Sequence, residues 1–155
     1  MRDYFKPLFE YNRYVNTQIA QSIISSSQPQ KALDLMGHLL TAEQVWIRRL
    51  KGEHKIDIVL WPKWPATIFV ELIDGNHKLW TDYLDTITDD YIKNQYINYQ
   101  NFQGKEFTMR VSDVITHVIN HGTHTRAQIG VHLRHNGVEG LPITDFSYYK
   151  TTITA

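Results

Sequence analysis

The chain of 155 residues balances 16 lysines and arginines against 16 aspartates and glutamates, and it contains no cysteine. This length suggests one domain over residues 1–155, with a core large enough to fold without a disulfide or a metal staple. Zero net charge and the lack of a basic stripe argue against nucleic-acid binding. The missing cysteine excludes disulfides, thiolate metal sites and cysteine nucleophiles. No stretch resembles a signal peptide or a membrane span, so we expect a cytoplasmic protein that does not bind membranes.

Four long segments carry apolar residues every three to four positions, which predicts four helices. The predicted helices are 3–26, 30–51, 67–86 and 113–136. An irregular loop rich in tryptophan and proline, 53–65, separates the second helix from the third. Alternating aromatic residues at 93–110 predict a short β-hairpin before the last long helix, and a short amphipathic segment at 144–152 closes the chain. The sequence therefore predicts an all-α protein, a four-helix bundle with these two additions.

The last long helix contains five of the eight histidines, all within the nineteen residues from His117 to His135. Advancing about 100° per residue places His121 about 40° and His124 about −20° from His117, on one polar face. The apolar residues of this helix centre at about 140° on the same scale. His121 therefore lies at the border between the polar face and the core, where its side chain can point into a cleft between helices.

A metal centre is one explanation for these imidazoles. A catalytic zinc-like site needs three protein ligands and one open position. Two ligands on one helix and one on a facing helix would supply them, and the facing candidate is His38. Gly37 beside it would let another backbone approach closely. Ordinary exposed or packing histidines are the alternative, and periodicity alone leaves both open. The tryptophans, Trp46, Trp61, Trp64 and Trp80, we expect to pack rather than to present stacking surfaces.

Several motifs occur in the order found in a known family. Residues 117–128, HVINHGTHTRAQ, fit the pattern H-x3-H-x-x-x-[HT]-R-x-Q, and the pattern LR-x-x-G follows at 133–137. Further segments agree in order, namely YNRYVN at 11–16, GHLLTAEQVWIRRLKGE at 37–53, YQNFQGKEF at 99–107 and LPITDFSYY at 141–149. In these motifs the chain resembles the DinB family, also called the DinB/YfiT-like superfamily, over nearly its whole length.

The resemblance implies an up-and-down four-helix bundle, often a homodimer, that binds a divalent metal, nickel or zinc, through three histidines. It implies that His38 is the first ligand and His121 the second. The third ligand is expected at position 125, where this chain has Thr125, a poor metal ligand. His124 lies one residue away, toward solvent, and is the remaining histidine candidate for the third position, since an i,i+3 pair can also share a metal.

Two functions follow from the resemblance. Some relatives are thiol-dependent transferases, so the first is a metal-dependent hydrolase or thiol-dependent transferase acting on a small molecule, in which His117 or His124 exchanges protons. The second is a non-catalytic bundle that has lost its metal site and acts as a binding or interaction module. Arg126, on the apolar flank of the histidine helix, is expected to pair with a buried carboxylate such as Glu43 or Asp145.

Overall fold

The computed structural model describes residues 1–154, which form six α-helices, a short 3₁₀-helix (Ala66–Ile68), a short π-helix (Tyr149–Ile153) and a two-stranded antiparallel sheet. The helices are α1 (Arg2–Ile24), α2 (Gln30–Leu50), α3 (Phe69–Thr86), α4 (Asp89–Asn94), α5 (Val111–His135) and α6 (Phe146–Tyr148), and the strands are β1 (Tyr96–Gln100) and β2 (Glu106–Arg110). The four long helices predicted from the apolar spacing are confirmed to within two residues at each end. The sequence pattern does not predict α4, because six residues are too few to show a helical period.

The predicted hairpin is confirmed directly before α5. Tyr99 of β1 lies opposite Phe107 of β2 in antiparallel register. The side-chain oxygen of Asn101 accepts hydrogen bonds from two backbone N–H groups of the turn. Gly104 completes the turn with a φ of 81°, a left-handed conformation that favours glycine. The turn thereby fixes the register that places Tyr99 against α2, where its ring contacts Trp46.

Two large apolar clusters fill most of the interior, one toward each end of the long helices, and a smaller third cluster joins Tyr11, Val15 and Tyr149. The first cluster contains Phe5, Phe9, Ile47, Leu50, Trp80, Tyr83, Leu84, Ile92, Val111, Val114, Ile115, Val118 and Ile119. The second cluster contains Ile19, Ala20, Ile23, Ala32, Leu35, Met36, Leu39, Leu40, Ala66, Phe69, Ile73, Ile129 and Leu133. Every long helix contributes apolar side chains to both clusters, which explains why its stripe can be read from the sequence.

A layer of buried polar side chains separates the two clusters. Each long helix contributes to this polar layer: Asn12 and Asn16 from α1, Glu43 from α2, Asn76 from α3 and Arg126 from α5. Asn16 and Asn76 donate hydrogen bonds to the Glu43 carboxylate at 3.3 and 2.9 Å. Arg126 donates to the side-chain oxygens of Asn12 and Asn16 at 3.1 and 2.9 Å. These partners offset much of the cost of burying the two charged groups.

The direction of the helices corrects one feature of the predicted architecture. Helices α1 and α5 run from the first cluster to the second, whereas α2 and α3 both run from the second cluster to the first. An up-and-down arrangement requires α3 to run opposite to α2, so that part of the prediction is wrong. The connection 51–65 explains the difference, since extended chain covers about 3.3 Å per residue and helix only about 1.5 Å. The connection is therefore long enough to return along the length of α2.

The long helices surround a shared interior. Helix α1 contacts α3 and α5, and α2 contacts the same two helices. The broad contact between α2 and α5 brings the predicted ligand helices side by side. None of the helices within residues 1–154 is both long and apolar enough to cross a membrane.

Candidate metal centre

The structure brings His38 of α2 and His121 of α5 together between these two helices. Their Nε2 atoms lie 3.3 Å apart, and their ring centroids lie 5.1 Å apart at an interplanar angle of 68°. His121 is half-buried, as its place at the border of the polar face predicts. Two nitrogens that each lie about 2.0–2.1 Å from a tetrahedral zinc ion are about 3.3 Å apart. The pair therefore has the spacing that a shared metal ion requires.

The loop between α2 and α3 orients His38. Its Nδ1 lies 3.1 Å from the backbone carbonyl oxygen of Leu60, and because a carbonyl oxygen only accepts, Nδ1 donates the hydrogen. The neutral ring then has a free lone pair on Nε2, the atom that faces His121. Trp61 stacks on the same ring, with centroids 3.9 Å apart and planes within 6°. A hydrogen bond from the other ring nitrogen to a carbonyl is the usual outer contact of a metal-binding histidine.

Gly37 allows the loop to approach α2 this closely. A Cβ atom at position 37 would lie 3.1 Å from the carbonyl oxygen of Pro62 and 3.4 Å from its ring. The prediction that Gly37 permits close approach of another backbone is confirmed, and the approaching residue directly follows Trp61. Leu60 and Trp61 reach His38 because position 37 has no side chain.

Both imidazoles of the pair favour the neutral form. Burial, together with the charge on the neighbouring His38, His117 and His124, lowers the pKa of His121 to about 4. Burial also lowers the pKa of His38, although its hydrogen bond to Leu60 acts in the opposite direction. Neutral imidazole is the form that binds a metal ion, so both rings have the protonation state that metal binding needs at neutral pH.

The structure supplies no third histidine at position 125, where the resemblance implies one. Thr125 is buried, with only 2% of its surface exposed, whereas His124 is exposed on the outer side of α5. Among residues 1–154, no group of three or more histidine, aspartate or glutamate side chains is arranged to hold a metal ion. The structure thus offers a pair, His38 and His121, and the role of His124 as a ligand stays a prediction.

A row of side chains continues from the pair toward the hairpin. His117 lies one turn before His121, with 5.9 Å between the ring centroids. The Trp46 ring lies 5.1 Å from His117, and the guanidinium carbon of Arg49 lies 4.6 Å beyond it. Burial lowers the pKa of His117, and the charge of Arg49 lowers it further. His117 is therefore an unprotonated imidazole beside the candidate centre at neutral pH.

Trp46 and Trp61 border this site, although sequence reasoning assigns every tryptophan to packing. Trp61 remains 46% exposed while it stacks on His38, so it is a stacking surface rather than a core residue. The clustering of tryptophan and proline at 61–65 is the one sequence signal for it, because such a loop is stiff enough to hold a ring in place.

Arg126 does not form the expected direct ion pair with Glu43 or Asp145. Its guanidinium donates to Asn12 and Asn16, and it reaches Glu43 only through Asn16. Asp145 is exposed and accepts hydrogen bonds from the first backbone N–H groups of α6. The hypothesis of direct contact is wrong, because short amide side chains of α1 occupy the space between the two charged groups.

Comparison with known proteins identifies the family. The model of the DinB family matches residues 18–154. The chain belongs to the DinB family. A curated relative, protein DinB of Bacillus subtilis (strain 168), is 26% identical over 96% of this chain and 95% of the relative. No solved structure matches the chain. The match to the DinB family confirms the resemblance found in the sequence, and it includes both histidines of the pair.

The residues present fit the metal expected of a DinB protein only in part. His38 and His121 have suitable spacing, suitable protonation and an outer hydrogen bond that fixes one ring. At position 125, where the resemblance implies a third imidazole, the chain has the buried Thr125. A divalent ion could therefore be held by two imidazoles, with its remaining positions left to water or a ligand.

Proposed function

We propose that this DinB-family protein binds a divalent metal ion, nickel or zinc, through His38 and His121. The supporting observation is the 3.3 Å separation of their Nε2 atoms across the contact between α2 and α5. The Leu60 carbonyl leaves Nε2 of His38 as the available lone pair, and the lowered pKa of His121 keeps that ring neutral. Because imidazole suits both nickel and zinc, the pair itself does not select between them.

The proposed activity is hydrolysis or thiol-dependent group transfer on a small molecule. A bound divalent ion supplies Lewis-acid chemistry, since it lowers the pKa of bound water and accepts a thiolate. The stacked ring of Trp61 orients His38 and shields one of its faces from water. His117, which is neutral and next to the pair, is the residue placed to take up a proton.

The second candidate function is a non-catalytic binding or interaction module that has lost its metal site. Thr125 favours this function, because it occupies the expected ligand position as a buried hydroxyl. Two imidazoles hold a divalent ion less tightly than three, so the loss of one ligand weakens the centre even where the other two keep their spacing.

The proposal extends to the architecture and surroundings of the chain. The four long helices form a closed four-helix bundle within one domain, and the contacts of α1 and α2 with α3 and α5 support this arrangement. The cytoplasm is the proposed location, because a cysteine-free chain gains nothing from an oxidising compartment. A homodimer is proposed from the family resemblance, and analytical ultracentrifugation measures it. Zero net charge supports the proposal that nucleic acids and membranes are not partners.

Metal content tests the first function against the second. Protein without an affinity tag is equilibrated with nickel or zinc and dialysed, and its metal content is then measured by elemental mass spectrometry. We expect about one equivalent per chain, and fewer than about 0.2 equivalents would leave only the binding module, since metal sites normally fill under such conditions.

Three variants locate the ligands. His121→Ala is expected to reduce metal to background, and His135→Ala, an exposed histidine on the same helix, is the matched control. Thr125→His is expected to tighten binding about tenfold or more, because an added ligand bond needs to contribute only about 1.4 kcal/mol for that change. Equal affinity in Thr125→His would contradict the view that the pair derives from a three-histidine site. His124→Ala decides whether His124 is a ligand.

A further inference from the structure

Arg49 of α2 is a nearly buried cation inside a box of aromatic rings. Only 6% of its surface is exposed. The guanidinium carbon lies 4.6 Å from the ring centroid of Trp46, 4.4 Å from that of Tyr99 and 5.6 Å from that of Phe102. One Nη2 hydrogen bond goes to the backbone carbonyl oxygen of Gln100 at 3.1 Å. The rings attract the cation, but the hydrogen bond of its N–H groups goes to the Gln100 carbonyl and to none of these side chains.

Arg49 has no acidic partner among residues 1–154, and its buried Nε–H has no acceptor. Two other arginines have side-chain partners. Arg48, the preceding residue, pairs with Glu53 at 2.7 Å, and the buried Arg126 donates to two asparagine side chains of α1. A buried charge without a counter-ion is costly, and aromatic faces offset only part of that cost. The box thus holds a guanidinium that lacks an anion.

We propose that Arg49 is the receptor for the carboxylate group of a small-molecule ligand. A planar guanidinium presents N–H donors that match the two oxygens of a carboxylate, and the Nε–H of Arg49 is a donor without an acceptor. Phe102 is 47% exposed, so the guanidinium lies only one ring below the surface. A ligand reaches it by displacing the tip of the hairpin around Phe102.

The location of Arg49 connects this carboxylate site with the candidate metal centre. Trp46 contacts both Arg49 and His117, and His117 lies next to His121. His38 and Arg49 are separated by about 16 Å along the axis of α2. A ligand that places its carboxylate at Arg49 and its reacting group at the histidine pair therefore has an elongated shape. The inference rests on the proposed function in this respect, and it narrows the substrate class to elongated organic acids.

Acetate is the probe, and a chelating resin keeps the protein free of metal so that acetate has no metal to bind. The protein is labelled with ¹⁵N, and the NMR resonance of the Arg49 Nε–H group is assigned from through-bond correlations. This resonance is followed during titration with sodium acetate. A second titration uses sodium chloride at equal ionic strength. We expect a saturable shift with acetate alone and a Kd on the order of 1–10 mM, because a ligand of about four non-hydrogen atoms makes few contacts.

Arg49→Lys tests the guanidinium, and Arg48→Lys is the matched control on the adjacent residue. Because Arg49→Lys lacks the Arg49 resonance, the backbone N–H resonance of Phe102, whose ring lies against Arg49, follows the titration in all three proteins. Arg49→Lys is expected to weaken acetate binding about tenfold, because lysine keeps the charge and loses the planar set of donors. Arg48→Lys is expected to change binding less than about twofold, because Arg48 already pairs with Glu53. Circular dichroism checks the fold of both variants, and the wild-type titration decides alone where Arg49→Lys does not fold.

An Arg49 resonance that stays fixed, or that moves equally with chloride, overturns the inference. Equal acetate affinity in folded Arg49→Lys overturns it as well. Because these measurements contain no metal, they do not depend on metal binding by His38 and His121. A failed metal-loading experiment beside a positive acetate titration therefore removes the proposed function and retains the carboxylate site.

Discussion

Protonation of Glu43 controls part of the stability of this protein. Burial raises the pKa of Glu43 to about 7 from its ordinary value of 4.5, although hydrogen bonds from Asn76 and Asn16 and the charge of Arg126 lower it. The folded protein therefore holds this proton more tightly than the unfolded chain does. As a result, the free energy of unfolding falls as the pH rises from about 4.5 to about 7, and the contribution is constant above that range.

The magnitude follows from the two pKa values. A rise from 4.5 to about 7 corresponds to about 3 kcal/mol, at about 1.4 kcal/mol for each pKa unit. Glu43→Gln removes the titration and keeps the shape of the side chain. The free energy of unfolding of Glu43→Gln minus that of the wild type is expected to increase by about 2–3 kcal/mol between about pH 5 and pH 8.

Urea unfolding at several pH values measures this difference. His121 also titrates in this range: because its pKa is lowered, it makes the free energy of unfolding rise with pH below about pH 6.5. This contribution is the same in the wild type and in Glu43→Gln, so the difference between the two proteins removes it. Glu71→Gln, which changes an exposed carboxylate on α3, is the control and is expected to give a nearly constant difference. Parallel profiles for the wild type and Glu43→Gln would refute the reasoning, since the polar layer would then solvate the charge as well as water does.

Two further substitutions test packing at the site and in the polar layer. Gly37→Ala is expected to cost about 1–2 kcal/mol in urea unfolding, because the new methyl group lies 3.1 Å from the Pro62 carbonyl oxygen. Gly75→Ala in α3 is its control, because the added Cβ has no atom within 4 Å. It is expected to stabilise the protein by about 0.4–1 kcal/mol. Equal effects of the two substitutions would contradict the close approach of Pro62 to Gly37. Arg126→Met is expected to cost about 3 kcal/mol in the same measurement, because it leaves two buried asparagine oxygens without donors and Glu43 without a nearby cation. A loss below about 1 kcal/mol would mean that Arg126 is not part of the network.

The long helices could be predicted because each one buries a single stripe. Ile115 and Ile129 of α5, for example, lie on the face that the spacing assigns to the core, and both are fully buried. The direction of α3 could not be predicted, because helical periodicity contains no information about where a connection leads. The path of 51–65 is set by contacts such as that of Pro62 with Gly37, and these join segments far apart in sequence.

The candidate site could be predicted in part for a similar reason. The angle of His121 on its helix and the need for a further ligand on a facing helix predict the pair of His121 and His38, which the family resemblance also implies. Trp61 and Arg49 could not be found in this way, because their roles depend on a loop and a hairpin that fold back onto α2. The contact of Arg126 with Asn16, in place of a carboxylate, likewise depends on how α1 packs against α5.

The polar layer also fixes the axial register of the long helices. If a helix shifts along its axis, its apolar side chains still contact other apolar side chains. The hydrogen bond from Asn76 to the Glu43 carboxylate, in contrast, forms in one axial register only. A slip of one helical turn, about 5.4 Å, would bury Glu43 or Arg126 in an apolar cluster at a cost of about 3–5 kcal/mol. Because Glu43 and Arg126 belong to the helices that carry His38 and His121, a slip of α2 against α5 would also separate the Nε2 atoms of the two imidazoles, which lie 3.3 Å apart.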